Sequence, residues 1–165
     1  MTKPLIPANE NARLAALQSY EILDTEAEEV FDGITKLAAL ICDMPVSLIS
    51  LVDENRQWFK SCYGFSATEA SRDISFCGHA INQTDIFYVE DATKDERFKN
   101  NPLVINAPNI IFYAGKPLID KNGFVLGTLC VADSKPRTLS SEQLLQLKLL
   151  ADQVVFLIQT RISLK

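Results

Sequence analysis

Residues 110–133 read IIFYAGKPLIDKNGFVLGTLCVAD, and their pattern decides the fold of this 165-residue chain. Two long β-prone runs meet at Asn122-Gly123, the dipeptide that best tolerates the positive φ angles of a tight hairpin turn. Ile110, Ile111, Phe112 and Tyr113 in the first run, and Val125, Leu126, Leu129 and Val131 in the second, are apolar on both strand faces. A hairpin like that cannot be a solvated edge and must lie in a sheet covered on two sides. An α+β domain arranged around the hairpin is the expectation. A two-residue Asn-Gly turn and a three-residue turn with Gly123 in a bulge differ by one residue in register. That difference sets whether Cys130 shares a face with Tyr113 or with Phe112, and Tyr113 is the preferred partner.

Composition fits one domain. A chain of this length buries ~70% of its unfolded surface, enough for a core without staples. Hydrophobic residues make up 47%, which excludes disorder, and with 22% charged residues no apolar run approaches a membrane span. The N-terminus, MTKPLIPANENARL, has no continuous hydrophobic region, so no signal peptide is predicted. Cys42, Cys62, Cys77 and Cys130 are scattered without paired metal spacing, and reduced thiols in a cytoplasmic protein are the default. The net charge of −5, with no Lys/Arg cluster interleaved with aromatics, argues against nucleic acid as a partner.

Outward from the hairpin the order is clear. Residues 9–19 are predicted helical, with Leu14 and Leu17 on one face. Thr25-x-x-Glu28 has capping-box spacing before a helix carrying Val30, Ile34, Leu37, Ala38 and Ile41 and ending at Pro45. VSLISLV at 46–52 is a two-sided apolar strand and QWFKSCY at 57–63 a more amphipathic one. Residues 64–109 hold a polar loop, a helical turn beginning at Ser75, a strand at 86–91 and an irregular segment with Pro102 and Pro108. Ser140-x-x-Gln143 caps a helix that runs nearly to Lys165. Strands following one another in this way, between terminal helices, give an antiparallel sheet rather than a βαβ wind.

Six segments in this order carry a resemblance. They are Asp73-Ile-Ser-Phe-Cys-Gly-His-Ala-Ile81, Tyr88-Val-Glu-Asp-Ala-Thr-Lys-Asp-Glu-Arg-Phe98, Asn101-Pro102-Leu103, Phe112-Tyr-Ala-Gly-Lys-Pro-Leu118, Gly127-Thr-Leu-Cys-Val-Ala-Asp133 and Lys135-Pro-Arg-Thr-Leu139. Together they resemble a GAF domain, the PAS-related sensory fold, of the type found ahead of bacterial histidine kinases, diguanylate cyclases and phosphodiesterases. The resemblance implies a central antiparallel sheet of five or six strands, with N- and C-terminal helices on one face. Loops and short helices spanning 64–109 would roof a pocket on the other. Residues 1–24 then form an N-terminal helical segment, and residues 25–165 a single domain.

Long ordered loops over a rigid sheet are where binding usually resides. Trp58, Phe76, Phe98, Phe112 and Tyr113 are candidate apolar walls and Cys77, His79 and Asp91 candidate polar points, with a cavity expected among Phe76, Phe98 and Tyr113. The competing reading is that these aromatics only fill the core. In Cys77-Gly78-His79, Ser75 can cap the turn and place Cys77 among backbone N–H groups that lower a thiol pKa, as in a redox sensor. Residues two apart on a helix diverge, and His79 is the only histidine, so no metal site and no cofactor are predicted.

Three specialised relatives fit poorly. Cys77-Gly78 is similar to one Cys-Gly position of the free methionine-R-sulfoxide reductases, yet no Cys lies between Phe98 and Phe112, where their nucleophile loop would carry one. Bilin-binding relatives attach chromophore through a Cys followed directly by His, and here Gly78 intervenes. The Asn-Lys-x-x-x-Phe-x-x-x-Asp/Glu pattern of the cyclic-nucleotide subgroup is missing.

The last helix suggests how a signal leaves. Leu144, Leu147, Ala151, Val154 and Ile158 form one stripe, and Leu145, Leu149 and Phe156 lie around from it, as candidates for a dimer interface. The resemblance adds that such helices continue into an effector's coiled linker. Because the chain stops at Lys165 without a catalytic domain, an excised sensor or one acting by association is expected. The favoured reading is a non-catalytic sensor that binds a small molecule, forms a homodimer and controls a histidine kinase or diguanylate cyclase. A ligand-free dimerisation or interaction module is the first alternative, and a thiol redox sensor or a methionine sulfoxide reductase-like enzyme the second.

Overall fold

Six strands form one antiparallel sheet in the order β3-β2-β1-β6-β5-β4. They are β1 (Val46–Val52), β2 (Arg56–Tyr63), β3 (Glu69–Ser71), β4 (Phe87–Val89), β5 (Phe112–Ile119) and β6 (Val125–Asp133). The helices are α1 (Glu10–Ser19), α2 (Glu29–Cys42), α3 (Phe76–Ala80), α4 (Pro102–Ile105) and α5 (Ser141–Ser163). The computed structural model describes residues 1–163, so the end of the predicted C-terminal helix lies outside the described residues. Among the described residues, no helix is long and apolar enough to cross a membrane.

The two-sided apolar pattern has its expected cause. One core lies between the sheet and α1, α2 and α5, with Ile49, Leu51, Leu129 and Val131 meeting Leu17, Phe31, Ala38, Leu147 and Val154. A second lies on the opposite face, where Leu48, Phe59, Tyr113 and Cys130 meet Phe76, Phe87 and Phe98. The hairpin takes the longer of the two turns. Gly123 N–H donates to the Asp120 carbonyl at 3.0 Å, Asp120 N–H to Phe124 O at 2.9 Å, and Gly123 has φ +86°. Asn122 has no positive φ, so the two-residue form is not made. A register shift then leaves Leu126 unpaired between Ile119↔Val125 and Leu118↔Gly127. That bulge restores the register a two-residue turn would have set: Tyr113 faces Ala132, Gly115 faces Cys130, and Cys130 shares a face with Tyr113.

Several local expectations change for stated reasons. Thr25 and Glu28 do not form a capping box; α2 begins at Glu29 without a side-chain cap. Both are recruited instead by Lys60, whose Nζ reaches Thr25 Oγ1 at 2.9 Å and Glu28 Oε2 at 2.5 Å. Lys60 points inward because, like Trp58, it alternates onto the helix side. It is also the extra residue of a bulge, Ser50 pairing with Phe59 and Ile49 with Ser61, so Lys60 has no strand partner. Glu69–Ser71, read as loop, forms a three-residue strand on β2, and Pro102–Ile105 a short helix capped by Asn101. The predicted strand at 86–91 shortens to Phe87–Val89 because Asp91 turns to accept from Thr93 N–H at 3.0 Å. The box at Ser140 and Gln143 does form, with reciprocal bonds of 2.9 and 3.1 Å.

Candidate functional site

A cavity of about 220 Å³ lies on the roofed face of the sheet. Leu48, Phe59, Phe76, Tyr113 and Ile110 supply apolar wall, while Gln57, Cys77 and Cys130 supply polar points. Ser75 begins the roof: its Oγ accepts from Gly78 N–H at 2.9 Å, starting α3 so that Phe76 and Cys77 face the sheet.

Cys77 is the hub of a buried polar network. Its sulfur lies 3.1 Å from Thr128 Oγ1 and 3.2 Å from Tyr113 Oη, while Ser50 Oγ donates to Gln57 Oε1 at 3.1 Å. Tyr113 reaches this point because its ring lies across Gly115, where a Cβ would sit 2.4 Å from the phenol oxygen. Hydrogen bonds from Cys130 first, and then from Ser50, Thr128 and Tyr113, outweigh burial and hold the Cys77 thiol below its usual range. Its coupled neighbour Cys130 is pushed up by that same hydrogen bond and by burial. Burial, with the charges of Cys77 and Cys130, raises Tyr113 well above the usual phenol. Cys42, which only packs, is pushed up to about 11 by burial.

Gly115→Ala is therefore expected to force the Tyr113 ring off the network, at a cost of about 1–3 kcal/mol. The ring has little room to yield, being stacked on Phe76 at 5.1 Å. Urea denaturation measures this, and unchanged stability would mean that the ring does not depend on a bare Cα beneath it.

The predicted site residues separate into three groups. Phe76, Cys77 and Tyr113 line the cavity. Phe98 and His79 back it from the roof, with Phe98 stacked on Phe76 at 4.1 Å and the His79 ring edge-on to Phe98 at 4.9 Å. Since Phe76, Phe98 and Tyr113 interlock, the void lies beside them rather than among them as expected. Trp58 and Phe112 belong to the helix-side core and Asp91 caps a 3-10 turn, so none of these three lines the cavity. For Phe112 the reason is alternation: adjacent strand residues point to opposite faces, so Phe112 and Tyr113 cannot share a wall. Gln57, Leu48 and Phe59 were missed; the same alternation along β1 and β2 would have found them.

His79 acts as a tether. Its Nε2 lies 3.1 Å from Thr2 O, Asn82 Nδ2 donates to Leu5 O at 3.0 Å, and Thr2 N–H donates to Arg97 O at 3.1 Å. Residues 2–5 are thereby strapped across α3, on the side away from the cavity. Burial first holds the His79 imidazole below its usual pKa, and the nearby Arg97 charge acts in the same direction.

A roofed antiparallel sheet, covered by terminal helices on its other face and holding a small half-open cavity under the roof, defines a class of small α+β domains. The chain belongs to the GAF domain family, whose profile matches residues 26–158. It is 42% identical over 137 residues to a cyclic di-GMP phosphodiesterase of Pseudomonas aeruginosa, covering 83% of this chain and 23% of that protein. The chain thus spans about a quarter of the length of that relative. Its fold is similar to the GAF domain of an Acinetobacter phosphoenolpyruvate-protein phosphotransferase, with TM-score 0.68, 19% identity and coverage of 96% and 98% of the two chains. It is also similar to a type II free methionine-R-sulfoxide reductase of Thermoplasma acidophilum, with TM-score 0.65, 13% identity and coverage of 86% and 94%.

Proposed function

We propose that this chain is a non-catalytic cytoplasmic sensor that binds a small molecule in the 220 Å³ cavity and passes the signal through its terminal elements to an effector. The observation that carries this reading is that the roof helix α3 serves two surfaces at once. Phe76 and Cys77 line the cavity, while His79 and Asn82 hold residues 2–5, which lead into α1. A ligand that favours one position of α3 biases the position of the N-terminal strap, which is a population shift. The effector is a histidine kinase or an enzyme of cyclic di-GMP turnover, the latter supported by the phosphodiesterase relative. Catalysis of the reductase kind is disfavoured because no cysteine lies between Phe98 and Phe112. A dose-dependent rise in melting temperature with one member of a metabolite panel is the expected result. Flat melting across the panel, with stability that varies with protein concentration, would favour the ligand-free interaction module.

The same reading makes the domain a homodimer through α5. Leu145, Leu149 and Phe156 are 55%, 53% and 57% exposed, and the antiparallel neighbour α2 adds exposed Val30, Leu37 and Leu40. Sedimentation is expected to give a dimer at tens of micromolar and a monomer for the double variant Leu149→Glu, Phe156→Glu. A strict monomer for the unaltered chain would sink the proposal. The thiol-sensor alternative rests on the lowered Cys77 thiol, and rapid selective oxidation of Cys77 by peroxide would favour it.

A further inference from the structure

Resting on the reading of the cavity as a ligand site, we infer that it takes a neutral, largely aromatic molecule the size of a fused bicycle, held by one hydrogen bond to Gln57, and that it excludes nucleotides, cyclic di-GMP among them. Size is the first argument. An apolar cavity of about 150 Å³ holds one benzene, and drug-sized ligands occupy about 300–1,000 Å³. At about 220 Å³ this cavity lies between, which suits roughly ten heavy atoms in a rigid, flat shape. A cyclic dinucleotide is several times larger.

Charge is the second argument. Among the described residues, no lysine, arginine or histidine lines the cavity. Its one charged residue is Asp133, whose carboxylate is held by Arg137 Nη1 at 2.6 Å and by the Ser134 N–H at 2.7 Å. A phosphate placed here would be desolvated beside an anion with no cation in the wall, an arrangement that costs several kcal/mol.

The third argument is the free polar end. Gln57 is only 5% exposed and lines the cavity. Ser50 occupies its Oε1, and among the described residues its Nε2 has no protein partner. That end is not sealed in the core, where Arg13 Nη2, Ser47 Oγ and Arg72 Nε are the buried side-chain atoms without a partner among the described residues; it is open and can donate to an acceptor placed in the cavity. Aromatic walls complete the slot: Phe59 with Phe65, edge-on at 6.3 Å, and Phe76 with Tyr113, stacked at 5.1 Å. Such walls suit a flat ring system offering one hydrogen-bond acceptor.

Quinoline, naphthalene and cyclic di-GMP are the probes. Quinoline is expected to raise the melting temperature of the unaltered protein in a dose-dependent way. Naphthalene, which lacks the acceptor, is expected to bind roughly tenfold more weakly, the worth of one good hydrogen bond. In Gln57→Leu the two should bind alike, and the wild-type comparison keeps its meaning even if that variant folds poorly. Location is read independently with a small methylating thiol reagent: quinoline should slow labelling of Cys77 while leaving Cys62, outside the lining, unchanged. Equal binding of quinoline and naphthalene by the unaltered protein would remove the role of Gln57. A shift with cyclic di-GMP and none with either bicycle would overturn the ligand class and leave the sensor reading standing. No shift with the bicycles or with any metabolite would overturn both.

Discussion

Replacing Phe98 by alanine is expected to destabilise the domain by about 3–5 kcal/mol, the range for deleting a fully buried phenylalanine. Phe98 has no exposed surface and is the centre of the roof-side core. Its ring stacks on Phe76 at 4.1 Å, meets His79 at 4.9 Å and Phe87 at 6.0 Å edge-on, and carries the Arg97 guanidinium at 5.3 Å. No single neighbour can fill the space, because Phe76 is already fixed against Tyr113. For a chain of this size each kcal/mol corresponds to about 2–4 °C, so the melting temperature should fall by about 10 °C. The comparison is Phe156→Ala. That ring is 57% exposed, and its loss should change monomer stability by no more than about 0.5 kcal/mol while weakening self-association. Two phenylalanines, one substitution and a tenfold ratio of costs separate a core residue from a surface one. A loss below about 1 kcal/mol for Phe98→Ala would mean that the roof is not a packed core, and the cavity it encloses would have no fixed wall.

That contrast shows where the sequence was legible. Period and apolarity are strong signals, so the hairpin, the two-sided sheet and the exposed stripe of α5 followed from pattern alone. Ser75 was found because a cap needs a side-chain oxygen at one fixed place, and its Oγ does accept from Gly78 N–H. The pocket was only half legible, because choosing aromatics by type ignored the face on which each one stands. Phe112 and Trp58 failed for that reason, and face alternation along β1, β2 and β5 would have exchanged them for Leu48, Gln57 and Phe59. Gln57 was hidden further by β3. Glu69–Ser71 has the composition of a loop, yet it pairs along β2 and turns an apparently outer strand into a covered one. A glutamine on an outer strand signals solvent; one on a covered strand signals a site. The strap at residues 2–5 had no periodic signal at all, since its contacts with α3 and Arg97 use backbone carbonyls and an N–H that every sequence possesses.

Glu28→Gln is the second large effect, because it leaves a cation buried without its counter-charge. The Lys60 side chain has no exposed surface and lies over the Phe31 ring at 5.4 Å, with Nζ donating to Glu26 O at 2.6 Å as well as meeting Glu28. Removing one partner of a buried pair costs about 3–5 kcal/mol. Glu28 is 36% exposed, so solvent screening reduces the expected loss at pH 7 to about 2 kcal/mol. The sign with pH is fixed by the direction of the shift. Burial opposes ionisation of Glu28, but the hydrogen bond and charge of Lys60, and then Arg161 at 3.2 Å, outweigh it and hold the carboxyl below its ordinary 4.5. A carboxyl depressed on folding contributes stability that is fully present above its unfolded value and is lost as pH falls through the folded one. The gap between the unaltered protein and Glu28→Gln should therefore be constant from neutral pH to about 5 and close below 4.5, as both come to carry an uncharged side chain. Lys60→Met answers the opposite question. Removing the cation and filling its place with an apolar chain of similar length should cost little or stabilise, and in that background Glu28→Gln should cost no more than about 0.5–1 kcal/mol, the worth of its remaining partly exposed pair with Arg161. A cycle of the two substitutions with no coupling would show that Lys60 is satisfied by Thr25 and Glu26 alone, and the folding of residues 20–28 against the sheet would then rest on their backbone rather than on charge.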